Sequence, residues 1–140
     1  MKKQQPIRHA VSALALAAFA LVALAGCELF GLGKDPIEGT WDLVAICDTG
    51  TRSTLTELGA PEGYSEVLEF GDGTFVYTMT NPESYSDPVS FSGTWELSGE
   101  IYVLASNEDP TDPIQVWLVG DELRMNDTKN ELDYLIFNKR

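Results

Sequence analysis

The sequence predicts an all-β protein, an eight-stranded antiparallel up-and-down β-barrel with at most one short helical turn. From residue 38 onward, nearly every segment is rich in β-branched and aromatic residues and is bounded by Gly, Asn, Asp or Pro. Several of these segments alternate apolar and polar residues, which is typical of strands with one buried face. The connections alternate between tight turns and longer loops, as they do in a meander.

The amino-terminal segment predicts export and lipidation. Three positive residues precede an apolar run from Ala10 to Ala25, which is too short and too rich in alanine for a membrane span. The run ends in Leu24-Ala25-Gly26-Cys27, which resembles the lipobox of bacterial lipoproteins. The resemblance implies cleavage before Cys27 and lipid on its thiol. The alternative is an ordinary signal peptide with an incidental cysteine.

Three segments follow from this interpretation: a lipoprotein signal peptide at 1–26, the lipidated Cys27 with a linker at 27–37, and a barrel domain at 38–140. The predicted location is the bacterial cell envelope. In many Gram-negative bacteria an Asp after the lipidated cysteine retains lipoproteins in the inner membrane. Glu28 stands there instead, which favours the outer membrane.

Charge and composition exclude several classes of function. The chain has 9 Lys and Arg against 22 Asp and Glu, a net charge of −13, which excludes a generic nucleic-acid binder because phosphates require a basic face. The only histidine is His9, inside the signal segment, so His-dependent catalysis and His-ligated metals are not expected. Residues 107–112 offer oxygen ligands without EF-hand spacing; a solvated acidic rim is expected there, with weak calcium binding as the alternative. No cofactor or metal is predicted.

The eight predicted strands leave little of the domain for other structure. The clearest alternation places Phe91, Gly93, Trp95 and Leu97 on one face of the fourth strand, with polar residues on the other. Cys47, which has no intrachain partner if Cys27 is lipidated, is expected to be a small core residue. The predicted strands span residues 38–47, 65–70, 74–80, 89–97, 101–106, 114–119, 122–126 and 132–138.

The connections predict a cup. In a meander, alternate connections fall at opposite ends, so the tight turns at 71–73, 98–100 and 120–121 form a closed base. The longer loops at 48–64, 81–88, 107–113 and 127–131 surround a mouth. The longest loop contains Thr54-x-x-Glu57, the spacing of a capping box, which allows one helical turn.

A repeated motif carries a resemblance to a known family. Gly39-Thr40-Trp41-Asp42-Leu43 recurs as Gly93-Thr94-Trp95-Glu96-Leu97. Gly-x-Trp early in the first strand resembles the lipocalins, and the second copy, with the Phe70–Phe75 segment between the two, resembles the short lipocalin-like domains of bacterial lipoproteins. The resemblance implies a calyx-shaped barrel that often binds an apolar ligand.

The resemblance and the loop pattern together place functional residues. Trp41 and Trp95 are expected near the base. The last strand is expected to pair with the first and to end at the base. Lys139 or Arg140 is therefore a candidate to cover Trp41 by a cation–π contact. The residues expected to face inward are Trp41, Leu43, Leu68, Phe70, Phe75, Tyr77, Met79, Phe91, Trp95, Leu97, Val103, Val116, Leu118, Leu123 and Met125. The predicted ligand contacts among them are Leu43, Phe70, Phe75, Tyr77, Met79, Phe91, Val116 and Leu118.

No acid or base belongs to this inward set, and Glu66 and Glu69 are expected to be solvated strand positions. A catalytic residue is therefore not predicted, and the protein is not expected to be an enzyme. Two functions remain: a carrier of a small apolar or amphipathic ligand, or a filled-core envelope barrel that acts as a structural or protein-interaction module. Cavity volume separates them. The predicted partners are the membrane, through the amino-terminal lipid, and a small hydrophobic ligand.

Overall fold

The computed structural model of the chain describes residues 33–127 and 131–140. The predicted signal segment and Cys27 lie outside these residues. Pro36–Arg140 forms one compact unit, and within the described ranges no helix has the length and hydrophobicity needed to cross a bilayer. The described strands are β1 (Gly39–Asp48), β2 (Thr51–Thr54), β3 (Ser65–Phe70), β4 (Thr74–Thr80), β5 (Val89–Ser98), β6 (Ile101–Ser106), β7 (Ile114–Val119), β8 (Glu122–Asn126) and β9 (Tyr134–Lys139).

Eight of these strands close into the predicted antiparallel barrel. From β3 to β9 each strand pairs with the next along the chain, and β1 pairs with β3 on one side and β9 on the other. The closing register pairs Trp41 with Lys139 and Cys47 with Tyr134. Closure satisfies the edges that a flat eight-stranded sheet would expose, and the predicted pairing of the last strand with the first is confirmed.

The strand β2 is the element that the sequence did not predict. It continues from β1 through a turn in which Thr49 and Gly50 have φ of 47° and 76°, the two left-handed residues that a type I′ hairpin requires. Along one edge of β1, residues 39–42 pair with β3 and residues 45–48 pair with β2. Its four mostly polar residues show no alternation, so the sequence predicts no strand there and places them in the long mouth loop.

A β-bulge in β1 changes which face its residues occupy. Leu43 pairs with Phe137, but the next pair along β9 is Ala45 with Ile136, so Val44 is the extra residue. Leu43 and Phe137 belong to the barrel core, whereas the buried Ala45 and Ile136 do not. Cys47 is a small buried residue, as expected, and it lies beyond the bulge, outside the main core cluster.

The core confirms thirteen of the fifteen expected inward residues, which are either buried in it or packed against it. Val103 and Leu97 are the exceptions. In β6 the buried residues are Tyr102 and Leu104, so Val103 faces outward; this strand is apolar on both faces, and alternation could not decide between them. Leu97 is 52% exposed because β5 extends past the core at the base.

Candidate functional site

The barrel interior differs between its two ends. Through the middle of the barrel, inward side chains are almost completely buried, among them Leu68, Phe75, Leu104, Val116, Leu123 and Phe137. In the mouth half, the apolar side chains packed against this core are only partly buried: Leu55, Met79, Phe91, Ile114 and Leu135. The interior is therefore filled through its middle, and the apolar side chains at the mouth keep part of their surface exposed.

Glu66 is the buried charged residue at the mouth end of the interior, and its position corrects the expectation that it is solvated. Residue 66 shares the inward face of β3 with Leu68 and Phe70, and it pairs with Met79 of β4. It is only 7% exposed, and in the part of the chain that the structure describes it is the only buried charged residue. A carboxylate therefore points into the barrel next to apolar walls.

Two tyrosine hydroxyls engage this carboxylate. Tyr64 donates a hydrogen bond to Oε1 of Glu66, and Tyr77 donates one to Oε2. Burial, with the adjacent carboxylate, raises the pKa of both tyrosines above its ordinary value. Both phenols therefore stay protonated at neutral pH and act as donors.

The ring of Tyr77 is held in place by aromatic neighbours. Its centroid lies 6.2 Å from that of Phe91 and 6.5 Å from that of Phe137, the latter nearly edge to face. Both separations fall in the range of favourable aromatic pairs. The packed core thus fixes the hydroxyl that bonds Glu66, so the polar group at the mouth is preorganised.

The mouth loops form an acidic rim that hydrogen-bonds within itself. Thr54 and Glu57 make the reciprocal bonds of a capping box, with Thr54 N 2.7 Å from the Glu57 carboxylate, but the segment forms turns and no helix. In the loop at 107–113, the Asp109 carboxylate accepts bonds from the amide and hydroxyl of Thr111 at 3.1 and 2.7 Å. Among the described residues, no group of three or more His, Cys, Asp or Glu is arranged to hold a metal ion.

The base carries an open recess of about 840 Å³, at the end that the sequence predicted to be closed. Its walls are Pro36, Trp41, Leu118, Gly120, Asp121, Glu122, Asn138 and Lys139. The ammonium of Lys139 lies 5.2 Å from the Trp41 ring centroid, which confirms the predicted cation–π contact, and it also bonds the Pro36 carbonyl at 3.1 Å. The first strand and the preceding segment therefore meet the last strand at this end.

A third group of polar and aromatic side chains lies on the outer side of the bulge and was not predicted. The Arg124 guanidinium lies 4.9 Å from the Tyr134 ring centroid, and Glu122 accepts from Arg52 at 2.5 Å and from Arg124 at 3.5 Å. The Cys47 thiol lies 3.8 Å from the Asp133 carboxylate. These contacts join β2 to β8, β8 to β9, and β1 to the residue before β9, so they stabilise closure of the barrel.

The predicted ligand contacts all face the same interior, although at different depths. Leu43, Phe70, Phe75, Tyr77 and Val116 belong to the buried core. Met79 and Phe91 are partly exposed on the mouth side, and Leu118 lines the base recess. Glu66 and Tyr64 are not among the site residues that the sequence predicts, although the spacing of Glu66, two and four residues before Leu68 and Phe70, fixes its face.

Comparison with known proteins gives one match. A family model described as a lipocalin-like domain matches residues 37–125. No curated protein matches the chain. No solved structure matches it either. The matched range begins just before β1 and ends within β8, and so includes the Glu66 site.

Proposed function

The chain belongs to the family of lipocalin-like domains, and from this premise we propose that it is a lipid-anchored protein of the bacterial cell envelope that binds a small apolar or amphipathic ligand at the mouth of its barrel. Members of this family are generally binding proteins rather than enzymes. The proposal has two parts, the binding site and the anchor, and each has its own support.

The observation that carries the binding site is the ring of partly exposed, inward-facing apolar side chains at the mouth, including Met79, Phe91 and Leu135. Apolar walls with a few convergent polar groups are typical of small-molecule sites. A ligand seated there would bury these side chains and gain the free energy of removing their surface from water. Because buried side chains fill the middle of the barrel, the ligand must be small or must leave part of itself outside.

The anchor rests on the Leu24 to Cys27 motif and on where the chain enters the barrel. The first strand begins at the base, where Pro36 and Trp41 line the recess. A lipid on Cys27 would therefore hold the base towards the bilayer and leave the acidic mouth facing water. Substituting Cys27→Ser should release the protein from the membrane fraction, and unchanged fractionation and mass would contradict the anchor.

Ligand binding is tested with a neutral fluorescent probe, N-phenyl-1-naphthylamine, on the mature domain purified without detergent. Saturable binding is expected, and Met79→Ala should weaken it. Val76→Ala is the matched control, because Val76 lies on the same strand but is exposed on the outer face. Equal weakening by both variants, or no saturable binding, would contradict a site at the mouth. Native mass spectrometry of the same preparation would reveal a ligand that co-purifies.

A filled-core barrel that acts through its surface is the second candidate, and the packing below the mouth favours it. Leu68, Leu104 and Val116 are fully buried, and a Cβ added at Gly93 would overlap the Ala105 carbonyl. Small eight-stranded barrels are often filled by their own side chains in this way. Absence of both probe binding and co-purifying ligand would favour this function.

A further inference from the structure

Binding of a purely apolar ligand does not explain why a carboxylate is buried at position 66. Removing a carboxylate from water is costly unless it is paired and hydrogen-bonded. Leu68 and Phe70 show that the same strand face accepts apolar residues throughout the barrel. The charge at position 66 therefore needs an explanation beyond packing.

We propose that Glu66, with Tyr64 and Tyr77, forms a head-group site for an organic cation, and that the ligand of the barrel is a cationic amphiphile such as an alkylamine. This inference rests on the proposed binding function and specifies the chemistry of its ligand. The apolar body would lie against the partly exposed mouth residues, and the ammonium would meet the carboxylate.

The hydrogen bonds of Glu66 leave room for such a partner. Each carboxylate oxygen receives one tyrosine hydroxyl, whereas an ionised carboxyl group has about four acceptor positions. An ammonium group brings three donors and a compensating charge to the remaining positions. The tyrosines therefore orient the carboxylate without using up its capacity to bind.

The described cations of the barrel unit have other partners. Arg52 and Arg124 both pair with Glu122, and Arg140 pairs with Asp42. Lys139 contacts the Trp41 ring and the Pro36 carbonyl at the base. None of these four forms an ion pair with Glu66, so an external cation would have no competitor among them.

The surroundings of the site favour the same charge. Aromatic rings lie close to the carboxylate, since the Tyr77 hydroxyl bonds Glu66 and the Tyr77 ring centroid lies 6.2 Å from that of Phe91. The net charge of −13 and the acidic mouth loops attract cations and repel anions such as fatty acids. The expected order of affinity at equal chain length is cation, then neutral, then anion.

Three probes of equal chain length test this order: dodecylammonium, dodecanol and dodecyl sulfate, each below its micelle concentration, in competition with N-phenyl-1-naphthylamine. Dodecylammonium should bind at least about tenfold more tightly than dodecanol, the scale of one charge-assisted hydrogen bond. Glu66→Gln keeps the shape and removes the charge, so it should abolish that preference while dodecanol binds as before.

The control for general electrostatic attraction is Glu69→Gln, on the exposed face of the same strand. It changes the net charge equally and should leave the preference intact. Equal effects of the two variants, or equal binding of the three probes by the unmodified domain, would overturn the cation site while leaving apolar binding in place. Failure of all three probes to bind would instead overturn the proposed binding function itself.

Folding of each variant is checked by its thermal transition. If Glu66→Gln does not fold, Tyr77→Phe provides the second test, because it removes one hydroxyl and keeps the carboxylate. That variant should reduce the preference for dodecylammonium over dodecanol, because the carboxylate loses one of the two hydroxyls that orient it. An unchanged preference would overturn the head-group site proposed for Glu66, Tyr64 and Tyr77.

Discussion

The two copies of the Gly-Thr-Trp motif share a sequence but not an environment. Trp41 is 3% exposed, whereas Trp95 is only partly buried; Leu43 is buried, whereas Leu97 is half exposed. The register explains the difference. Gly39 pairs with Phe70, Phe70 with Phe75, and Phe75 with Gly93, so both glycines lie in one row across four strands.

From that shared row the two strands run in opposite directions. β1 runs towards the mouth, so Trp41 and Leu43 enter the core. β5 runs towards the base, so Trp95 reaches the turn between β3 and β4, where its Nε1 donates to the Gly71 carbonyl at 3.0 Å. Strand direction therefore decides how deeply each copy of the motif is buried. Substituting the same position in both copies tests this comparison.

The glycines should give the largest effect. A Cβ on Gly93 would overlap the Ala105 carbonyl oxygen and approach Phe75 to 2.8 Å, and neither the strand backbone nor the buried ring can move away. Gly93→Ala should cost more than about 4 kcal/mol or prevent folding. Gly39→Ala meets only the flexible end of Lys139, but its φ of 127° is strained for alanine, so about 1–3 kcal/mol is expected. Equilibrium unfolding in urea measures both, and equal losses would contradict the comparison.

The tryptophans should give the next largest effect. Trp41→Ala should cost about 3–5 kcal/mol, because it empties a buried site and removes the bond from its Nε1 to the Ile37 carbonyl at 2.7 Å. Trp95→Ala removes a partly exposed ring that packs on Tyr102, so about 1–3 kcal/mol is expected. The same urea experiment compares them, and a larger loss for Trp95 would reverse the assignment of the two environments.

Leu43 and Leu97, each two residues after the tryptophan of its motif, show the same contrast in burial. Leu43→Ala should lower the free energy of unfolding by about 2–5 kcal/mol, as expected for a buried leucine. Leu97→Ala should change it by less than about 0.5 kcal/mol, because the side chain is largely in water already. A substantial loss at Leu97 would mean that another surface covers the base in solution, and sedimentation velocity would detect self-association as one source of it.

The same residues show how far the sequence predicts the molecule. Turn residues and alternation gave the bounds of β3, β4, β6, β7 and β8 without error. Alternation failed where both faces are apolar, as at Val103, and where a bulge shifts the phase, as beyond Val44. Such a bulge depends on pairing with β9, which is distant in sequence, and so has no local signal.

The candidate site was only partly predictable for a different reason. Met79 and Phe91 follow from alternation, and both lie at the mouth. Residue type predicts a solvated Glu66, because glutamate is rarely buried, although its spacing from Leu68 and Phe70 places it inside. At Glu66, residue type predicts exposure and alternation predicts burial, and alternation gives the correct face. A charged residue at an inward position is therefore a candidate functional residue.

The acidic position of the motif should give the smallest effect and is the most sensitive test of the comparison. Asp42 accepts two hydrogen bonds from Arg140, at 3.0 and 2.6 Å, and the pair raises the pKa of that guanidinium. Arg140 is largely exposed and Asp42 partly so, and ion pairs at exposed sites contribute little and weaken with salt. Asp42→Asn should therefore lower the Tm less than any substitution above, with a loss that shrinks as NaCl rises to about 1 M, where the screening length falls to about 3 Å.

Glu96 forms no ion pair among the described residues, so Glu96→Gln should leave the Tm unchanged or raise it slightly by reducing the net negative charge. The double variant Asp42→Asn with Arg140→Gln distinguishes the pair from the general charge: its loss should equal that of either single variant, whereas additive losses would mean that the carboxyl-terminal residue stabilises closure of the barrel by packing and not by its bond to the first strand.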